Sequence, residues 1–201
     1  KDALAKPIPH ARARGVDYRF PKKGAYPLVW LKNIEISSEA PKGVEGSTQG
    51  NLKGMGSNFT TDPQVTDKPM VLSIAGDFPG QHISGMTFKA SLNHQLPTPN
   101  EEIGLAVLDY PVSQFALSKS EKLKFGLNKA HGVVGIQILH SEEMIRMTVN
   151  NRFRQIDYRV ESQNKKVTEI LNSLLKGIPE ITLDATARGT WSTLTWDFKS
   201  N

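Results

Sequence analysis

Five histidines, at positions 10, 82, 94, 131 and 140, are the residues of this 201-residue chain best suited to acid–base or metal chemistry. No two of them stand three or four residues apart, the spacing by which a helix presents two imidazoles to one ion. His140 precedes Glu142 and Glu143, but Ser141-Glu142-Glu143 is also what a polar turn between two strands requires. His82 and His94 bracket a strand-like run and would meet across a hairpin only as a two-ligand site; the expected state is solvated histidines at strand ends. There is no cysteine, hence no disulfide, thiolate metal site or Cys nucleophile. Neither a P-loop, nor a strand-to-helix G-x-G-x-x-G, nor a G-x-S-x-G elbow occurs. The sequence offers no catalytic residue, no metal ligand set and no cofactor site, and the expectation is a protein that is not an enzyme.

Binding chemistry gives little more. Arg152, Arg154 and Arg159 interleave with Phe153 and Tyr158 as a nucleic-acid strip would, yet Asp157 and Glu161 sit among them. A solvated strand face accounts for the pattern. Asn58-Phe59-Thr60 is a glycosylation triplet that matters only on a eukaryotic secretory route. Trp30 and Trp196 follow the alternation of core or sheet-edge residues, whereas Trp191 falls in the turn Gly189–Thr193 and is a candidate for carbohydrate stacking.

The net charge of +5 points to an anionic partner until it is located. Residues 1–23 hold seven bases and two acids, which leaves 18 of each in the remainder. The excess belongs to an arm, residues 1–24, punctuated by Pro7, Pro9 and Pro21. Residues 25–201 form one neutral domain, and nucleic acid is not an expected partner. No apolar run approaches the ~18 residues of a membrane span. The chain opens on Lys1 without an initiator Met or secretory segment, and an upstream region is expected.

The elements that must position any site are strands. Leu72, Ile74 and Phe78 alternate with polar or small residues; so do Met86, Phe88, Ala90 and Leu92, and Ile103, Leu105 and Val107. Leu123–Leu127, Val134–Ile138, Ile145–Val149, Ile156–Val160, Ile181–Ala187 and Leu194–Phe198 repeat the pattern, and Leu28–Ile36 begins it. Gly43–Gly56 reads as a glycine-rich, weakly patterned strand pair. About ten amphipathic strands with short polar connections predict a mainly β, antiparallel fold of hairpins and meanders. Gly76, Gly85, Gly104, Gly126 and Gly135, inside strand-like runs, predict bulges and a strongly curved sheet, either a β-groove or sandwich-like. One segment differs. Val167, Ile170, Leu171, Leu174 and Leu175 predict an amphipathic helix over 164–176 covering a core face, with Asn164 or Ser162 as N-cap, Gly177 as C′ residue and Pro179 as stop.

The C-terminal stretch runs from that helix through Ile178-Pro179-Glu180-Ile181-Thr182-Leu183-Asp184-Ala185-Thr186-Ala187-Arg188-Gly189-Thr190 to Leu194-Thr195-Trp196-Asp197-Phe198-Lys199-Ser200-Asn201. It resembles the closing segment of AsmA/TamB-like bacterial envelope proteins: a helix, a strand ending in a small residue-Gly-Thr turn, and a strand finishing Ser-Asp or Ser-Asn. Gly15-Val16-Asp17-Tyr18-Arg19-Phe20-Pro21 and Pro27-Leu28-Val29-Trp30-Leu31-Lys32-Asn33-Ile34-Glu35-Ile36 are similar to an uncharacterised membrane-anchored subgroup with an AsmA-like C-terminal part. Gly50-Asn51-Leu52-Lys53-Gly54 and Thr61-Asp62-Pro63 look like the same group. The resemblance covers most of the chain, which departs from the family in lacking a long run of β-repeats.

The resemblance implies a periplasmic module, tethered to the inner membrane by a segment outside this chain. It would contact or transport phospholipid along an apolar β-groove, or assist outer-membrane assembly, and it supplies no catalytic residues. The residues expected on that lipid-binding face are Met86, Phe88, Leu105, Phe125, Ile136 and Met147. A closed core would use the same six. Expected partners are phospholipid or acyl chains, and further copies of the chain through sheet edges or the apolar face. A β-sandwich module binding protein or carbohydrate, and a structural spacer of a larger anchored protein, are the alternatives.

Overall fold

The computed structural model describes residues 26–95, 98–116, 118 and 123–201. The basic arm, with His10 and the motif at 15–21, lies outside them. Among the described residues the chain forms β1 (Trp30–Ser38), β2 (Asn51–Thr60), β3 (Met70–Phe78), β4 (Ile83–Asn93), β5 (Asn100–Ala116), β6 (Leu123–Ser141), β7 (Met144–Ser162), α1 (Lys165–Lys176), β8 (Glu180–Gly189) and β9 (Thr195–Ser200). All nine strands join one antiparallel sheet in sequence order, each beside its neighbour in the chain. The mainly β, antiparallel, single-helix expectation holds. The sheet does not close: β1 and β9 remain at opposite edges, and among the described residues no second sheet packs across it as a sandwich would require.

Three local differences have physical causes. The strand pair expected over Gly43–Gly56 is a single strand, β2, because Gly43 (φ 72°) and Gly46 (φ 74°) turn the chain before it. The runs at 123–127 and 134–138 belong to one 19-residue strand, β6, and those at 145–149 and 156–160 to another, β7. Bulges between Leu127 and His131 shift the β6–β7 register, so the period-two pattern slips phase within each continuous strand. Gln155, at φ 52°, lies in that irregular stretch. Of the five strand glycines, Gly85 alone adopts φ in the left-handed region (64°); it lies opposite the β3 irregularity at Gly76/Phe78, where its N–H donates to Asp77. Gly104 and Gly135 continue the ladder in regular register.

The best-buried apolar residues, Leu127, Ala130, Ile145, Ala185 and Ala187, all lie on β6–β8. Helix α1 packs against β7 in the connection to β8. The Asn164 side chain accepts from the Lys166 N–H at 3.0 Å, as expected of the N-cap. Gly177 ends the helix in right-handed geometry (φ −80°) rather than as a left-handed C′ residue. The expectation that the helix covers a core is met by two of its five apolar residues. Leu171 and Leu175 are half-buried, while Val167, Ile170 and Leu174 are exposed. No described helix is long and apolar enough to cross a membrane.

Candidate functional site

Strand register sorts the side chains into two faces, because directly paired residues of an antiparallel sheet point the same way. One row runs Ile36, Gly54, Ile74, Phe88, Leu105, Ile136, Val149, Ala185, Phe198, one residue from each strand and every one apolar. The next row on this face runs from Ile34 through Leu72, Ile103, Ile138 and Met147 to Trp196. At about 4.8 Å per strand, each row spans roughly 38 Å. The opposite face carries Glu35, Ser73, Lys89, Gln137, Thr148 and Asp197 in one register row.

Five of the six residues expected on the apolar face lie close together. Phe88, Leu105 and Ile136 are successive partners in one row, Met147 pairs Ile138 in the next, and Met86 pairs Gly76 two residues from Phe88. Phe125 is brought to the far end of β6 beyond the bulges, where it pairs Val160 and stacks on Tyr158 with ring centroids 6.1 Å apart. Burial raises the Tyr158 hydroxyl pKa above its ordinary value of 10, and the hydroxyl donates to the Ile178 carbonyl at 2.9 Å. All six side chains are half-buried, shielded by their neighbours on the face. At the β9 edge Trp196 and Phe198 stack at 5.8 Å and are exposed.

The apolar face ends in a polar cluster that the linear sequence did not reveal. Glu101 pairs His140 across β5–β6, and its carboxylate accepts from His94 Nε2 at 2.6 Å and His140 Nδ1 at 3.0 Å. Burial raises the Glu101 pKa, but the hydrogen bonds and charges of the two imidazoles together outweigh it and hold the carboxyl below the usual glutamate value. Exposed Trp191 tilts against His140 at 6.1 Å. A signal was present: Glu101 falls in phase with Ile103 and Leu105, and His140 in phase with Ile136 and Ile138, so both occupy apolar-face positions. His82 and His94 do not approach each other, since they flank the two ends of the 11-residue β4, roughly 35 Å apart. Among the described residues no three His, Asp or Glu groups converge as metal ligands would.

A depression of about 630 Å³ lies on the opposite face. Gly104 and Gly135 leave the ladder bare there, within a rim of Ser73, Thr87, Lys89, Gln137 and Thr148. Arg152, on that face, pairs with Glu180 at 3.2 Å. Asn58, of the glycosylation triplet, has φ 59° and donates to the Pro69 carbonyl at 3.4 Å. No family model, curated protein or solved structure matches this chain.

Proposed function

We propose that this chain is a non-enzymatic module of the bacterial envelope. Its apolar sheet face contacts or carries phospholipid acyl chains, or assists outer-membrane assembly, as the resemblance to AsmA/TamB-like proteins implies. The proposed setting is the periplasm, with tethering to the inner membrane through a segment outside this chain. The observation that carries the reading is the all-apolar row from Ile36 to Phe198, crossed by no second sheet among the described residues. A contiguous apolar surface that no other described element covers marks a binding site in a stable protein. Acyl chains suit it because they need no directional partner and gain up to about 0.8 kcal/mol per buried CH₂.

Native mass spectrometry of protein purified from cells is expected to show bound phospholipid. A fluorescent fatty acid is expected to bind about tenfold more weakly to a Leu105→Ser, Ile136→Ser variant, and equally well to Val71→Ser on the polar face. Ligand-free protein that ignores the fluorescent fatty acid overturns the reading. The open edges of β1 and β9 favour a second reading, a structural spacer that continues its sheet into neighbouring chain segments. That reading requires concentration-dependent association in sedimentation equilibrium, lost when residues 195–201 are removed.

A further inference from the structure

Helix α1 carries more apolar surface than the sheet covers. Leu175 borders the cleft formed with Ile156 and Tyr158, and it and Leu171 are half-buried on the side turned to β7. Val167, Ile170 and Leu174 follow on the adjoining side at i, i+3 and i+7, and are 37%, 59% and 62% exposed. Ile178, just past the helix, continues the stripe at 42% exposed. The helix carries Lys165, Lys166 and Lys176 against the single acid Glu169, a net charge of +2. Lys166 stands one turn before Ile170, so its stem lies beside the stripe and its ammonium at the rim.

We propose that α1 docks this protein on an anionic lipid surface. The aliphatic stripe from Val167 to Ile178 enters the boundary between headgroups and acyl chains, and Lys166 beside it meets the lipid phosphates. Charge selects this occupant. A second copy of the chain would oppose +2 to +2 across the stripe. A protein partner would be anchored by the Trp, Tyr or Arg typical of binding hot spots, and the stripe holds none. An aliphatic stripe rimmed by lysine is what an interfacial helix presents to anionic lipid. The inference rests on the helix alone and stands or falls separately from acyl binding on the sheet.

The test is co-sedimentation of the 201-residue chain with phosphatidylcholine vesicles, with and without phosphatidylglycerol. The chain is expected to partition onto vesicles containing phosphatidylglycerol and to be released by high salt. An Ile170→Ser, Leu174→Ser variant is expected to partition about tenfold more weakly, and Lys166→Glu severalfold more weakly. Met55→Ser, which removes an exposed apolar side chain from the polar sheet face, is expected to behave as wild type. Far-UV circular dichroism checks that the variants keep the fold, and Lys166→Glu keeps the test open should the double variant lose it. Failure of the wild type to bind, or unchanged partitioning of both helix variants, overturns the proposal; the second result would assign binding to the basic arm. A dimer in sedimentation equilibrium that Ile170→Ser, Leu174→Ser dissociates also overturns it, by placing the stripe between copies.

Discussion

Replacing Glu101 by glutamine tests whether the polar cluster at the end of the apolar face is a coupled unit. The carboxylate accepts from two imidazoles, and glutamine keeps one acceptor oxygen while turning an N–H toward the other ring. A hydrogen bond to a charged group contributes about 1.5–3 kcal/mol when well shielded. Glu101 is 25% exposed and His94 40% exposed, so solvent screening reduces the combined loss to about 1–3 kcal/mol. The sign of the pH dependence follows from the lowered carboxyl pKa. The folded state favours the ionised form, so the contribution is fully present above the usual glutamate value of 4.5 and disappears as pH falls through the lower folded value. Urea unfolding of wild type and Glu101→Gln across acidic to neutral pH measures it. The expected result is a difference in stability that shrinks as pH falls through the carboxylate range. A difference below about 0.5 kcal/mol at neutral pH, or one independent of pH, would refute the reasoning.

Two further substitutions probe the core and the backbone. Ile145 is 1% exposed, and Ile145→Ala is expected to cost about 2–5 kcal/mol in urea denaturation; a loss under about 1 kcal/mol would mean that the β6–β8 cluster is not the core. Gly85→Ala is expected to cost about 1–3 kcal/mol, because φ is 64° and the new Cβ would lie 2.7 Å from the Leu108 side chain. Adding Leu108→Ala should recover the steric part and leave the backbone strain, and a fully stable Gly85→Ala would contradict the bulge geometry.

The alternation of Met86, Phe88, Ala90 and Leu92 made β4 legible with its apolar face identified, and Ile103, Leu105 and Val107 did the same for the first half of β5. Local periodicity suffices there because nothing interrupts the pleat. It fails where a bulge resets the phase. Phe125 and Leu127 are out of phase with Val134 and Ile136 in sequence, and one long strand therefore reads as two. The helix was legible to within one residue of its start, since Asn164 caps it and Pro179 forbids its continuation. Which of its apolar residues the sheet would cover was not legible, because Leu171 and Ile170 are neighbours in the same pattern and only the packing on β7 separates them.

The sequence by itself determined that the chain is built of two-faced strands, that one amphipathic helix interrupts them, and that the charge excess lies in the first 23 residues. These follow from composition and from periodicities of two and 3.6, which are local properties of the chain. Tertiary structure decided that all nine strands form one open sheet, that an apolar row crosses it uninterrupted, and that Glu101 joins His94, just past β4, to His140 of β6. Those outcomes depend on which strand pairs with which and in what register. Residues 94 and 140 become neighbours of 101 only through pairing across two hairpins, and no spacing along the chain encodes that.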